Sequence, residues 1–307
     1  MLVVSNYHYI RPHFEAPYPS IFGVTPEQFE TQLLLLKSEF VPITPKQFVS
    51  NFHQILADSQ KYLLITFDDG LREQYEYALP ILDTLEMEAL FFANSLYYDQ
   101  QKVSTVHKLH LIRSQIASSL LLQQIEDELD LHLSDKEKES ALATYIYDTS
   151  EAATVKYLLN FKMDFAQQER FANQMFASYF EEENVGPELY FTRQQLVDLA
   201  QRNCLGSHTH SHYPLGLLSQ EKVHAEIEKT LHIFEKITNH RPLAISYPYG
   251  TYEAAPEHVS NLAKQSGHSV GFMATRGLND QFTDPLRLHR FDCNDLPGGK
   301  NYTKQLW

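Results

Sequence analysis

Three short clusters carry residue types that can do chemistry. The first, Leu63-Leu64-Ile65-Thr66-Phe67-Asp68-Asp69-Gly70, is an apolar run that ends in two adjacent carboxylates and a glycine. Two like charges side by side raise one pKa unless a cation neutralises them. A turn with an Asp cap explains an Asp-Asp-Gly, taken alone, about equally well. The second cluster, Gly206-Ser207-His208-Thr209-His210-Ser211-His212, places three histidines within five residues. Imidazole is the commonest metal-binding side chain. On a helical turn His208 and His212, four apart, would face one side, and His210 would point elsewhere. The competing reading is a histidine-rich surface turn. Two histidines and one aspartate make a three-ligand set that leaves positions open for water and substrate. The third cluster, Ser246-Tyr247-Pro248-Tyr249-Gly250, closes another apolar run with turn-forming proline and glycine, and by itself says little.

The elements that must position these residues follow from periodicity. Leu2-Val3-Val4, Tyr62-Leu63-Leu64-Ile65, Ala89-Leu90-Phe91-Phe92 and Ala244-Ile245-Ser246-Tyr247 have the length and content of buried parallel strands. Ligand sites in parallel α/β folds lie at the carboxyl ends of such strands, where the clusters fall. Thr25-Pro26-Glu27-Gln28 reads as an N-cap followed by a proline at the first helical position. The spacing of Phe29, Leu33 and Leu36 then predicts a helix over 29–40, with a second over 75–85. Alternation of strand and helix points to an α/β fold. Residues 102–183 break the rhythm: they contain neither proline nor glycine and show helical patterns at 109–122 and 139–147. They read as an all-helical insertion between two parts of a barrel, 1–101 and 184–307. After Gly186-Pro187 a helix at 192–201 returns the chain to the α/β pattern.

The bulk numbers set bounds. The chain has 307 residues, 43% of them hydrophobic, enough for a sizeable core without covalent staples. Cys204 and Cys293 form no metal or redox spacing and read as reduced thiols. A formal charge of −14 argues against nucleic acid as a partner. The first residues lack the pattern of a secretory signal, and no apolar run approaches the roughly 20 residues of a transmembrane span. The expectation is a cytoplasmic protein.

Together the three clusters resemble the polysaccharide deacetylase family, also called carbohydrate esterase family 4. Its first motif, Thr-Phe-Asp-Asp-Gly, stands at 66–70. Its second, His-Ser/Thr-x-x-His, is matched by His208-Thr209-His210-Ser211-His212. Its third, Arg-x-Pro-Tyr/Phe-Gly, survives as Ser246-Tyr247-Pro248-Tyr249-Gly250. The resemblance implies a distorted (β/α) barrel of about seven parallel strands. It implies a metal-dependent hydrolase that removes an acetyl group, with N-acetyl the leading case, from a carbohydrate or glycan precursor. Asp69, His208 and His212 become ligands of a divalent metal, usually zinc, although cobalt, nickel or iron(II) also suit this donor set. Asp68 becomes the general base toward water attacking a polarised carbonyl. Tyr247, Pro248 and Tyr249 are placed beside the substrate, with the backbone N–H of Tyr247 or a neighbour helping to stabilise the oxyanion.

Two departures from the family pattern matter. Ser246 replaces the family's third-motif arginine, so another group must restrain Asp68; Arg276, Arg287 and Arg290 are candidates. The late Leu-x-His motif that supplies the general acid has one counterpart in Leu288-His289-Arg290. A second candidate is His8 in Asn6-Tyr7-His8-Tyr9, after the apolar run at 2–4. That placement resembles the poly-N-acetylglucosamine deacetylase branch, whose barrel is circularly permuted, whose catalytic histidine lies near the N-terminus, and which tends to carry Tyr-Pro-Tyr-Gly. The two departures together favour His8 over His289. Sugar contact from the Val106-His107-Lys108-Leu109-His110 segment, or from Tyr97, Tyr98 or Phe14, is a further expectation. The alternatives are a hydrolase of cyclic imides or other non-sugar amides on the same fold, and a catalytically inactive binding module. The intact set of Asp68, Asp69, His208 and His212 argues against the latter.

Overall fold

Seven strands run parallel in one sheet: β1 (Leu2–Tyr7), β2 (Tyr62–Phe67), β3 (Ala89–Ala93), β4 (Leu205–Ser207), β5 (Ala244–Ser246), β6 (Val270–Phe272) and β7 (Phe291–Asp292). Their order across the sheet is β7-β1-β2-β3-β4-β5-β6, and a short eighth strand, Val41–Pro42, pairs beside β2. The computed structural model describes residues 1–18, 20–145 and 148–303. Leu288, just ahead of β7, forms a parallel bridge to Phe272 of β6, while β7 itself pairs with β1. The last strand thus joins the two edges, and the sheet curls into a distorted (β/α) barrel, as expected.

Side chains of a strand alternate between faces, and the clusters follow that parity. Leu2, Val4, Leu64, Leu90, Phe92, Ala244, Phe272 and Leu288 form one buried cluster with Phe48, Ile55 and Leu56 of the Pro45–Ala57 helix. Val3, Tyr7, Leu63, Ile65, Phe67, Phe91 and Ala93 form another with Phe29, Leu33 and Leu36 of the Pro26–Glu39 helix. Continuing the first parity toward the carboxyl ends reaches Asn6, Thr66, Asn94, Ser246 and Arg290, all buried and all polar. The sheet therefore changes from oily to polar at one end, where the clusters of the sequence lie.

The helix starts fall where their caps place them. Thr25 and Thr192 each form a capping box, for the Pro26–Glu39 and Arg193–Gln201 helices. Other boundaries differ from expectation. The 75–85 segment is a π-helical turn, Gln74–Ala78, continued by the helix Leu79–Thr84. The 109–122 pattern is two helices, Thr105–Gln115 and Ser118–Leu129, because Ile116 is extended (φ −118°, ψ 133°). The 139–147 pattern corresponds to the helix Asp135–Thr144; residues 146 and 147 lie outside those described. Gly186 and Pro187 lie inside the helix Glu182–Leu189. There a Cβ on residue 186 would come within 2.5 Å of the Tyr97 ring.

The chain forms two compact units. The first comprises 1–13, 23–102 and 185–307 and contains the sheet. The second comprises 103–184 together with 14–22. Its helices include Ser150–Tyr157 and Phe165–Tyr179, and it buries Ile112, Leu121, Ile125, Val155, Leu158, Phe171 and Phe176. Inside it Lys108 is buried, with Nζ 2.7 Å from Glu182 and 2.8 Å from Asn173 Oδ1. Among the described residues no helix is long and apolar enough to cross a membrane.

Candidate active site

Asp68 leaves the end of β2 fully surrounded by protein. Burial alone would raise its pKa, but the Arg290 guanidinium outweighs that and holds the carboxyl well below the usual range. The pairing is bidentate: Nη1 donates to Oδ1 at 2.8 Å and Nη2 to Oδ2 at 2.6 Å. Arg290 also donates to Asn6 Oδ1 at 3.0 Å, to Ser246 Oγ at 2.9 Å and to the Met273 carbonyl at 2.7 Å. The guanidinium that restrains Asp68 therefore arrives from the closing strand and rests on the serine that occupies the arginine position of the third motif. The other two candidates are engaged elsewhere: Arg276 pairs with Asp295 at 3.4 Å, and Arg287 lies over the Tyr252 ring.

Asp69 turns the other way. Its φ of 80° is left-handed, which separates its carboxylate from that of its neighbour. Asp69 Oδ1 lies 3.4 Å from His208 Nε2 and 3.2 Å from His212 Nε2. His208 Nδ1 lies 2.7 Å from the Ser246 carbonyl oxygen, which can only accept. In the neutral ring the proton therefore sits on Nδ1, which leaves Nε2 facing the aspartate with its lone pair. Burial lowers the pKa of His208, yet the carboxylates of Asp68 and Asp69 raise it overall, marking a site that attracts positive charge. Two ligands bound tetrahedrally at about 2.0–2.1 Å stand about 3.3 Å apart. The two separations here bracket that value, so the donor set, its burial and its spacing fit a divalent metal.

The loop that carries the histidines is not a helical turn. It follows β4 with Thr209 at φ 62° and His212 at φ 60°. That backbone, rather than the four-residue helical repeat, brings the two imidazoles to a centroid separation of 4.9 Å. His210 points away, as expected, with Nδ1 2.8 Å from Ser95 Oγ.

His8 follows β1 with its ring partly exposed and Nε2 3.9 Å from Asp68 Oδ2. His289 bonds Thr275 Oγ1 through Nδ1 at 2.8 Å, and burial lowers its pKa. Of the two candidate acids, only His8 has an ion-pair distance to Asp68.

The third cluster corrects two expectations. The Tyr247 side chain is buried and donates to the Leu286 carbonyl at 2.9 Å, and its N–H bonds the Phe272 carbonyl at 3.1 Å. Neither faces a substrate, because Tyr247 falls on the outer parity of β5 and packs with Leu215, Ile227 and Val259. Pro248 is buried too. Tyr249 is 41% exposed, with its ring 5.2 Å from that of His212. Tyr98 is likewise buried, its hydroxyl bonded to the Phe191 carbonyl, and His107 is buried within the helical unit beside Ser104. Neither presents a surface to a sugar.

Three positioning groups escaped the sequence reading. Asn6 Nδ2 lies 3.3 Å from Asp68 Oδ2. Gln74 Nε2 donates to the backbone carbonyls of Asp68 and His8 at 2.6 and 2.8 Å, fastening the ends of β2 and β1 together. Glu226 accepts from the histidine loop. Only Asn6 had a signal, since it lies two residues beyond Val4 on the inward parity.

Comparison with known proteins points one way. The polysaccharide deacetylase family model matches residues 56–126 and 165–271. A relative from Bacillus subtilis (strain 168), YxkH, whose name places it among polysaccharide deacetylases, is 25% identical over 108 residues. That match spans 35% of this chain and 38% of the relative. Among solved structures, the Streptococcus pyogenes deacetylase PplD, in complex with acetate, aligns over 95% of this chain and 91% of its own, at a TM-score of 0.59 and 16% identity. IcaB from Ammonifex degensii aligns over 95% and 90%, at a TM-score of 0.57 and 15% identity. These two likenesses concern the fold; the family model covers more than half of the sequence, and by it the chain belongs to the polysaccharide deacetylase family.

Proposed function

We propose that the protein is a metal-dependent deacetylase that hydrolyses an acetyl group, with N-acetyl the leading case, on a carbohydrate or glycan precursor. The observation that carries this reading is the convergence of buried Asp69, His208 and His212 beside a carboxylate held ionised by Arg290. Asp69, His208 and His212 would hold a divalent cation, with zinc the leading case, whose chemistry when bound is to polarise the acetyl carbonyl and acidify water.

The chain's own residues do the rest. Asp68 is ionised across the working pH range, and its carboxylate takes a proton from the attacking water as general base. Arg290 and Asn6 fix the plane of that carboxylate. His8, near enough to share the electrostatics of Asp68, supplies a proton to the departing nitrogen through Nε2. Among the described residues no carbonyl accepts from the Tyr249 N–H, so this amide takes over the donor role that Tyr247 cannot play toward the oxyanion. The exposed Tyr249 ring offers a face to a sugar.

The test is metal content and acetate release measured together on a panel of N-acetylated amino sugars, before and after chelation. About one equivalent of metal, with turnover lost on chelation and restored by zinc, is the expected result. Asp68→Asn should abolish turnover and leave metal content unchanged. Bound metal without acetate release, but with turnover of cyclic imides, would move the substrate class; a chain that binds no metal would end the proposal.

A further inference from the structure

The second cluster contains one histidine that the metal set leaves out, and it has a circuit of its own. His210 is buried, and Ser95 Oγ, 2.8 Å from its Nδ1, lies 3.0 Å from Thr230 Oγ1. Thr230 donates to the Glu226 backbone carbonyl at 3.2 Å, one turn back on the Gln220–Thr238 helix. The Glu226 carboxylate then closes the circuit. Its Oε2 accepts from the N–H of His210 at 3.1 Å and of Ser211 at 2.8 Å, and its Oε1 accepts from the Ser211 hydroxyl at 2.8 Å.

The two residues so held lie between Thr209 and His212, both of which are left-handed. That region is unfavourable for any side chain and more so for β-branched threonine, so such a loop persists only when its surroundings over-determine it. The strand end supplies one restraint, since the His208 N–H bonds the Ala93 carbonyl and the Ser95 N–H bonds the Thr209 carbonyl. Glu226 supplies the restraint on the far side, between the two histidines that approach Asp69.

We propose that Glu226 is a positioning residue for the metal centre, holding His210 and Ser211 so that His208 Nε2 and His212 Nε2 converge on Asp69. This rests on the deacetylase reading above. The action is by hydrogen bonding rather than by charge. A glutamine would keep it: the amide oxygen in place of Oε2 accepts from both N–H groups, and the amide NH2 donates to Ser211 Oγ, since a hydroxyl can accept as well as donate. An aspartate, one methylene shorter, withdraws the acceptors while keeping the charge.

The test compares the parent with Glu226→Gln, Glu226→Ala and Glu226→Asp, reading the zinc dissociation constant by chelator competition and the melting temperature of the zinc-free protein. The alanine and aspartate variants should bind zinc about 10- to 100-fold more weakly, the usual scale for groups that orient metal ligands, with glutamine within about threefold of the parent. If alanine compromises folding of the zinc-free chain, aspartate carries the comparison. Parent-like affinity in the alanine and aspartate variants would overturn the proposal, as would a glutamine variant as weak as alanine, which would assign the effect to charge. A parent that binds no zinc would overturn the deacetylase reading first, before any substitution is made.

Discussion

Arg290 is the residue on which the site's electrostatics turn. Its side chain is 1% exposed, and its five N–H donors are spread over a carboxylate, an amide, a hydroxyl and a carbonyl. Breaking a buried pair strands an uncompensated charge, typically at a cost of about 3–5 kcal/mol. Arg290→Met should therefore destabilise the fold by about that much in urea unfolding and abolish acetate release. The double variant Arg290→Met with Asp68→Asn should recover part of the stability and none of the activity. A double variant no more stable than Arg290→Met would show that the loss came from packing rather than from the stranded carboxylate. Arg290→Lys keeps the charge but not the planar fork, and should fall between. At this scale the sequence was legible where partners are close. Asp68-Asp69 and the histidine loop are local words, whereas Arg290 meets Asp68 across a separation of 222 residues. Three arginines near the C-terminus were equivalent until the fold chose one.

Turns decide the geometry at the scale of elements. Asp69, Thr209, His212 and Tyr249 all have φ between 60° and 80°, so each of the three loops that carry these candidate site residues contains a left-handed residue. Gly70 makes the first of these turns possible: its φ is 65°, and an added Cβ would lie 2.6 Å from that of Ala93. Gly70→Ala combines left-handed strain with overpacking against β3, and should cost about 3 kcal/mol in unfolding free energy and weaken zinc binding through Asp69. Gly267 is the matched control. It has φ 98° with nothing within 4 Å of an added Cβ, so Gly267→Ala should cost only about 1–2 kcal/mol and leave zinc binding untouched. Equal losses in the two variants would mean that backbone strain alone matters and the close approach to Ala93 does not. The strands at 2–4, 62–65, 89–92 and 244–247 and the capped helix start at Thr25 were readable because apolar runs and cap chemistry are local, whereas β4, β6 and β7 have only two or three residues each. The break at Ile116 and the loop form of 208–212 were not, since no glycine or proline marks either left-handed or extended turn there.

Across the whole molecule, the parallel α/β class followed from alternation and the barrel from the family resemblance, but strand order and closure did not. That the segment from Leu288 through β7 links β6 to β1, and so delivers Arg290, depends on one bridge at Leu288 and a two-residue strand, too short to carry a period. A buried histidine in the same core contributes to the protein's response to acid. His268 precedes β6 and is buried, with Nδ1 3.2 Å from the Ala263 carbonyl and Nε2 without a hydrogen-bond partner among the described residues. Burial, opposed by the hydrogen bond to the Ala263 carbonyl and by Glu228 and aided by Arg241, brings its pKa down to about 4. Above both the folded and the unfolded value the ring is neutral in either state and contributes nothing to pH dependence. As pH falls below about 6.5 the unfolded chain takes up a proton that the folded chain refuses, so stability drops until pH reaches about 4. The drop amounts to roughly 3 kcal/mol, because folded and unfolded pKa values that differ by one correspond to about 1.4 kcal/mol. His268→Gln retains an N–H for the Ala263 carbonyl and removes the titration. Urea midpoints at pH 7 and at pH 4.5 should show the parent losing ground to this variant on acidification. A parent-to-variant difference that stays constant between the two pH values would assign the acid sensitivity to other groups.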